Sequence, residues 1–135
     1  MYDACNVLGI KNPGIAKLDA KIRKGFSFQM ARRLQSLLAM TDDEVAWHLG
    51  ISKSAFRRLK KGGKLSRISS DRLYRLAYLF AWAADVLHSK ENARKWLTSP
   101  HLLFDEHTPL RVAETEPGSR EVENMLGKIR YGLPV

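Results

Sequence analysis

Apolar residues along this chain recur three and four positions apart, and nowhere do they alternate with polar ones over the length of a strand. The pattern predicts an all-α fold. Ile15, Leu18 and Ile22 share one face of a short lysine-rich helix that ends near Gly25. Ser27 is placed to cap a helix from Phe28 to Ala39, with Met30, Leu34, Leu37 and Leu38 inward. Thr41 and Glu44 stand in the S/T-x-x-E relation of a capping box, so another helix starts at Asp42, turns Val45, Ala46 and Leu49 inward and stops at Gly50. Ser52 caps the next, which buries Ala55, Phe56 and Leu59.

The longest helix is predicted from Ser70 to Leu87, started by the Ser69, Ser70 and Asp71 cluster, whose oxygens suit the unpaired N–H groups of a helix start. It is apolar nearly all round. Leu73, Leu76, Phe80 and Leu87 mark one face, and Tyr74, Tyr78 and Trp82 lie on a second beside it. Such a helix is either central to the core or buried against another subunit, which makes those three aromatics candidates for a dimer interface. Further on, a helix through Trp96 and Leu97 halts before Pro100, and Thr108-Pro109 opens a short helix through Ala113. Thr115-Glu116-Pro117-Gly118 interrupts again. Val122, Met125, Leu126 and Ile129 then form the stripe of a last helix that closes at Tyr131-Gly132. The organisation expected is a flexible amino-terminal arm over 1–14, a helix-turn-helix region over 15–68, and the long helix with a small helical carboxy-terminal domain over 69–135.

The segment from Thr41 to Leu59 carries most of the functional signal. Ala46 lets two helices approach closely, Gly50 turns the chain cheaply, and a second short helix follows, as in the helix-turn-helix that places its second helix in the major groove of DNA. A helical hairpin that only fills a core can look the same from inside. The outward face separates the two: from Lys53 to Arg67 there are seven basic residues and no acidic one, whereas a merely solvated helix mixes both signs. Ser52, Lys53, Ser54, Arg57, Arg58, Lys61 and Lys64 are the candidate DNA contacts. Lys53, Ser54 and Arg57, on the first turns, are placed to reach base edges; Arg58, Lys60, Lys61 and Lys64 are placed to meet phosphates. Each lysine taken singly reads better as an ordinary solvated side chain than as a DNA contact.

Charge sharpens this division. Residues 1–99 hold 19 Lys/Arg and 8 Asp/Glu, whereas residues 100–135 hold 4 and 6, so the basic surface belongs to the first two thirds of the chain and the last third serves something else. At 135 residues the expectation is one compact unit able to bury a core without staples. The lone Cys5 excludes an internal disulfide, and no Cys-x-x-Cys or paired-His spacing suggests a metal, so neither metal nor cofactor is expected. No signal stretch and no apolar run of about 20 residues is seen, which points to a cytoplasmic protein without a membrane role. His48, His88, His101 and His107 are scattered. Asp105 and Glu106 beside His107 are the nearest thing to acid–base equipment, but adjacent loop residues of this kind are usually solvated. No nucleophile elbow or glycine-rich phosphate loop is present, and the chain does not read as an enzyme.

Three motifs, in their order and spacing, resemble the Xre/MbcA/ParS family of antitoxins: Asp71-Arg72-Leu73 at the head of the long helix, Ala93-x-x-Trp96-Leu97-x-x-Pro100, and Thr108-Pro109-Leu110 followed by Arg130-Tyr131-Gly132. The resemblance spans roughly Ile15 to Gly132. It implies an Xre-type helix-turn-helix ahead of a toxin-binding domain in a type II toxin–antitoxin pair. It also implies a RES-type toxin that destroys NAD as the partner, or a related toxin that ADP-ribosylates a protein. The antitoxin would dock its carboxy-terminal domain over the toxin's NAD pocket and bind its own double-stranded operator as a homodimer. Trp96, Pro100, Thr108, Pro109, Arg130, Tyr131 and Gly132 are then the expected toxin contacts. From the residues alone, Arg130 also suits the dipole at a helix C-terminus, and Tyr131 could fold back on the core. A stand-alone helix-turn-helix repressor, and a pure protein-interaction module, are the competing readings. One departure stands out: relatives carry a Leu-Gly-Gly turn ahead of Thr-Pro-Leu, and this chain has Phe104-Asp105-Glu106-His107, a costlier way to make a glycine-type turn.

Overall fold

Helices in the computed structural model, which describes residues 3–11 and 14–133, mostly begin where a short polar side chain takes up an otherwise unpaired N–H. Asp3 caps α1 (Ala4–Leu8); α2 (Ile15–Lys24) starts after Gly14 without a side-chain cap; Ser27 caps α3 (Phe28–Leu38). Thr41 caps α4 (Asp42–Leu49) in a complete capping box, and Ser52 caps α5 (Lys53–Leu59). In α6 (Arg67–Leu87) the Ser69 N–H donates to the Ser66 hydroxyl at 3.1 Å. Ser89, Thr108 and Thr115 cap α7 (Lys90–Leu97), α8 (Pro109–Val112) and α9 (Glu116–Arg130). Among the described residues there are nine α-helices and no strand, so the fold is all-α, as expected.

The chain divides into two compact units, residues 3–78 and 79–133, and the division falls inside α6 between Tyr78 and Leu79. Length alone suggested one unit, and the motif pattern suggested a boundary at 68/69. The first half of α6 belongs with the helix-turn-helix for a specific reason. Its two serines do not start the helix; they are buried and hold other segments. Ser69 Oγ donates to the Leu49 carbonyl at the end of α4 (2.8 Å), and Ser70 Oγ accepts from the Phe26 N–H ahead of α3 (2.8 Å). Leu73, Leu76 and Ala77 then continue that core.

Residues 3–11, expected as part of a flexible arm, instead carry α1, with Cys5, Val7 and Leu8 buried and Ile10 after them. A helix of five residues is too short to register as a period, but Asp3 starts it and Gly9, at φ 81°, ends it. Met1, Tyr2, Asn12 and Pro13 of that stretch, and Pro134 and Val135 at the other end, lie outside the described residues. The Cys5 thiol pKa is pushed up by burial and then by the Asp3 charge, which keeps it protonated and unreactive. On α2 only Leu18 is buried; Ile15, expected inward, is 82% exposed.

In the second unit the Thr115–Gly118 segment begins a helix instead of breaking one. Pro117 sits in the first turn of α9, where its missing N–H costs nothing. Gly118 is fixed by proximity: a Cβ there would run into the Val112 carbonyl oxygen, so only glycine lets α9 approach α8 this closely.

Candidate nucleic-acid interface and carboxy-terminal surface

The helix-turn-helix is built from α4 and α5 on a support from α3. Ala46 is buried, and Gly50 at φ 73° turns the chain so that the Ile51 N–H reaches the Ala46 carbonyl at 3.0 Å. Phe56 carries α5 into the core, fully buried, with its ring tilted against Phe28 at 5.3 Å. A polar clasp joins α3 to α4. The buried Gln35 donates through Nε2 to Asp42 Oδ1 (2.7 Å) and to the Met40 carbonyl (3.2 Å), while Arg32 donates to both Gln35 Oε1 (2.7 Å) and Asp42 Oδ1 (2.9 Å). The hydrogen bond from Gln35, followed by those from Arg32 and Lys60, outweighs partial desolvation and lowers the Asp42 carboxyl to about 2. Since the folded value lies below the ordinary one, the clasp contributes fully at neutral pH. That contribution is lost only as the pH falls through the ordinary carboxylate range towards about 2.

Ser52, Lys53, Ser54, Arg57, Arg58, Lys61 and Lys64 are all exposed, on α5, at its cap or in the loop that leaves it. They divide by what holds them. Ser52 Oγ accepts from the Ala55 N–H at 3.1 Å and lies 3.2 Å from Ser54 Oγ, so Ser52 is first a helix cap. Lys53 reaches Asp43 at 3.2 Å, and Lys60 reaches Asp42 at 3.3 Å. Exposed pairs of this kind contribute under about 1 kcal/mol, little enough for a phosphate to displace the carboxylate. Arg57, Arg58, Lys61 and Lys64 form no ion pair among the described residues.

The expected toxin contacts separate more sharply. Pro109 is fully buried and Thr108 Oγ1 accepts from the Arg111 N–H at 3.1 Å, so this pair builds α8 and Pro109 presents no surface to a partner. Trp96 is half-buried; its ring lies 5.2 Å from that of His101, whose Nε2 is 3.1 Å from the Trp96 carbonyl. Pro100, Arg130, Tyr131 and Gly132 are exposed, and Tyr131, at 75%, does not fold back on the core. Leu102 and Leu103, which the sequence did not single out, are 80% and 60% exposed. With Trp96, Phe104, Met125 and Ile129 they line a mainly apolar groove of about 270 Å³. The three-residue turn that holds them is too short for a period to reveal.

The glycine-poor loop makes the glycine-type turn nonetheless. Asp105 and Glu106 are both left-handed, at φ 52° and 65°, and the Glu106 N–H donates to the His101 carbonyl at 3.0 Å. Both residues and His107 are exposed. A non-glycine residue held there costs on the order of 1 kcal/mol or more. Glu106→Gly should therefore raise the stability of the 79–133 unit by about 1 kcal/mol, less the extra chain entropy of glycine. Urea unfolding checks this, with Glu106→Ala expected to bring no gain; a destabilised glycine variant would mean that the Glu106 side chain holds the turn.

On α6, Tyr78 is 41% exposed, and Tyr74 and Trp82 are half-buried. The Tyr74 hydroxyl pKa is raised by burial first, then by Cys5, Tyr78 and Asp3. Among the described residues no group of three or more His, Cys, Asp or Glu is arranged to hold a metal, and no helix is long and apolar enough to cross a membrane.

These features define a helix-turn-helix protein with an appended helical unit. Two family models match in tandem: residues 17–78 match the antitoxin Xre-like helix-turn-helix domain, and residues 83–132 match the antitoxin Xre/MbcA/ParS carboxy-terminal toxin-binding domain. The chain belongs to the Xre family of antitoxins. Similar proteins named Antitoxin Xre occur in Pseudomonas putida, 36% identical over 56% of this chain and 49% of that protein, and in Photorhabdus laumondii, 25% identical over 86% and 80%. A third, from Yersinia enterocolitica, is 26% identical over 83% of this chain and 77% of its own. The match to the Pseudomonas protein thus spans about half of that protein's length.

Proposed function

We propose that the chain is the antitoxin of a type II pair. In this reading α5 carries it to double-stranded operator DNA, and the 79–133 unit covers the active site of a RES-type toxin that destroys NAD. One observation carries the reading: the exposed cations of α5 and the loop after it lie in one compact unit, and the exposed leucines with Arg130 and Tyr131 lie in the other. The second unit offers what a protein partner needs, a mainly apolar groove lined by Trp96, Leu102 and Leu103 and, elsewhere on its surface, an exposed cation and aromatic at Arg130 and Tyr131. Tyr78 of α6 is the exposed aromatic around which a homodimer would close; Tyr74 and Trp82 are the other candidates for that interface.

The test is co-expression with the product of the adjacent gene. The full chain should restore growth and cellular NAD, co-purify with the toxin and retard its own upstream DNA. Deletion of residues 130–135 should leave retardation intact and abolish rescue; rescue by the truncated form would overturn the docking assignment. Growth arrest with NAD unchanged and a protein ADP-ribosylated would point to the related toxin class. Failure of any neighbour to co-purify would leave a stand-alone repressor.

On DNA, Arg57→Ala should reduce preference for the operator by about 1–3 kcal/mol, as expected when a bidentate guanine pairing is removed. Lys61→Ala should instead lower the salt slope by about one unit with preference unchanged. Equal weakening on operator and random duplex for Arg57→Ala would contradict base reading by that residue.

A further inference from the structure

We propose that α2 is a second phosphate-binding surface, which grips the DNA backbone beside the segment that α5 reads. Lys17, Lys21 and Lys24 are four and three residues apart, hence on one face of α2. With Lys64 they line a cleft of about 460 Å³ that also includes Phe26 and Met30. Like charges gathered in this way repel one another, and no carboxylate lines the cleft. The carboxylates of residues 3–78 are engaged elsewhere. Asp3 caps α1, Asp19 pairs with Arg23 at 2.8 Å on α2 itself, and Asp42 and Asp43 hold Lys60 and Lys53. Glu44 closes the capping box, and Asp71 lies 4.0 Å from Arg75.

The backbone ties this cleft to the recognition helix. Lys64 forms an isolated antiparallel bridge with Ser27, and the Leu65 N–H donates to the Phe26 carbonyl at 2.9 Å. Gly25, at φ 100°, permits the approach: a Cβ there would meet the Leu65 carbonyl oxygen. The loop leaving α5, with Lys61 and Lys64, is thereby laid against α2. A polyanion that follows those cations away from α5 meets Lys17, Lys21 and Lys24 next. Lysines are mobile point charges suited to phosphate oxygens and not to bidentate base reading, so this surface adds affinity without sequence preference.

The inference rests on the proposed DNA binding by α5, and the experiment separates the two. Full chain and the triple variant Lys17→Gln/Lys21→Gln/Lys24→Gln are titrated with salt on the upstream duplex and on a scrambled one. The slope of log K against log salt should fall by about 2–3 in the triple variant, from about 0.9 for each phosphate no longer neutralised. The operator-to-scrambled ratio and the circular dichroism should not change. A control that removes three cations from the other unit, Lys95→Gln/Arg111→Gln/Lys128→Gln, should leave the slope nearly unchanged. An unaltered slope in the α2 variant, or an equal fall in the control, overturns the α2 surface while binding through α5 stands. A fall accompanied by loss of operator preference also overturns it, because the lysines would then act through α5. No retardation of either duplex by the unaltered chain overturns both.

Discussion

Phe56→Ala should destabilise the 3–78 unit by about 3–5 kcal/mol, the range for removing a fully buried aromatic, and should abolish operator retardation at growth temperature. Phe56 is the side chain that commits α5 to the core. It is completely buried, its ring meets Phe28 at 5.3 Å, and the other inward residues of the helix, Ala55 and Leu59, are only half-buried. With seven residues α5 is too short to persist without that anchor. Its exposed cations have no other means of being held in one row. The measurement is urea unfolding followed by a mobility shift. A loss under about 1 kcal/mol, or retained sequence preference, would show that the capped ends of α5 suffice to hold it.

The second large effect is expected at Gly118. Gly118→Ala should cost the 79–133 unit about 2–3 kcal/mol, because the added Cβ meets a backbone carbonyl, Val112 O, which cannot rotate away as a side chain could. Either α9 moves off α8 or the α8 backbone gives way. The variant should lose partner binding and toxin neutralisation and keep operator retardation, the opposite outcome to Phe56→Ala. A neutral Gly118→Ala would mean that α8, only four residues long, yields at little cost.

What could be read in advance was whatever rests on residues close in sequence. The Thr41/Glu44 box, the Gly50 turn and the Ser52 cap are each complete within four residues, and the helix-turn-helix follows from them. The cap and first-turn proline at Thr108-Pro109 are equally local. Tertiary partnerships were hidden. Ser69 and Ser70 have the composition of a helix start, yet their hydroxyls serve Leu49 and Phe26, residues distant in sequence, and this moves the unit boundary into α6. α1 escaped notice for its length. In the carboxy-terminal unit, motif membership did not separate support from surface: Pro109 belongs to the motif and is buried, while Leu102 and Leu103 lie outside it and are exposed. The left-handed pair Asp105 and Glu106 kept a glycine turn without glycine, because the backbone hydrogen bonds between His101 and His107 close around it.

The first turn of α4 carries Asp42, Asp43 and Glu44, and two of these carboxylates hold Lys60 and Lys53 of the neighbouring helix. The protein thus supplies its own counter-ions to the helix it would present to a nucleic acid. An arriving RNA or stray duplex must compete with tethered carboxylates that, unlike dissolved chloride, do not diffuse away once displaced. The expected effect is a modest lowering of occupancy by indifferent polyanions, since each exposed pair contributes under about 1 kcal/mol. Asp43→Asn should make such background adhesion stronger.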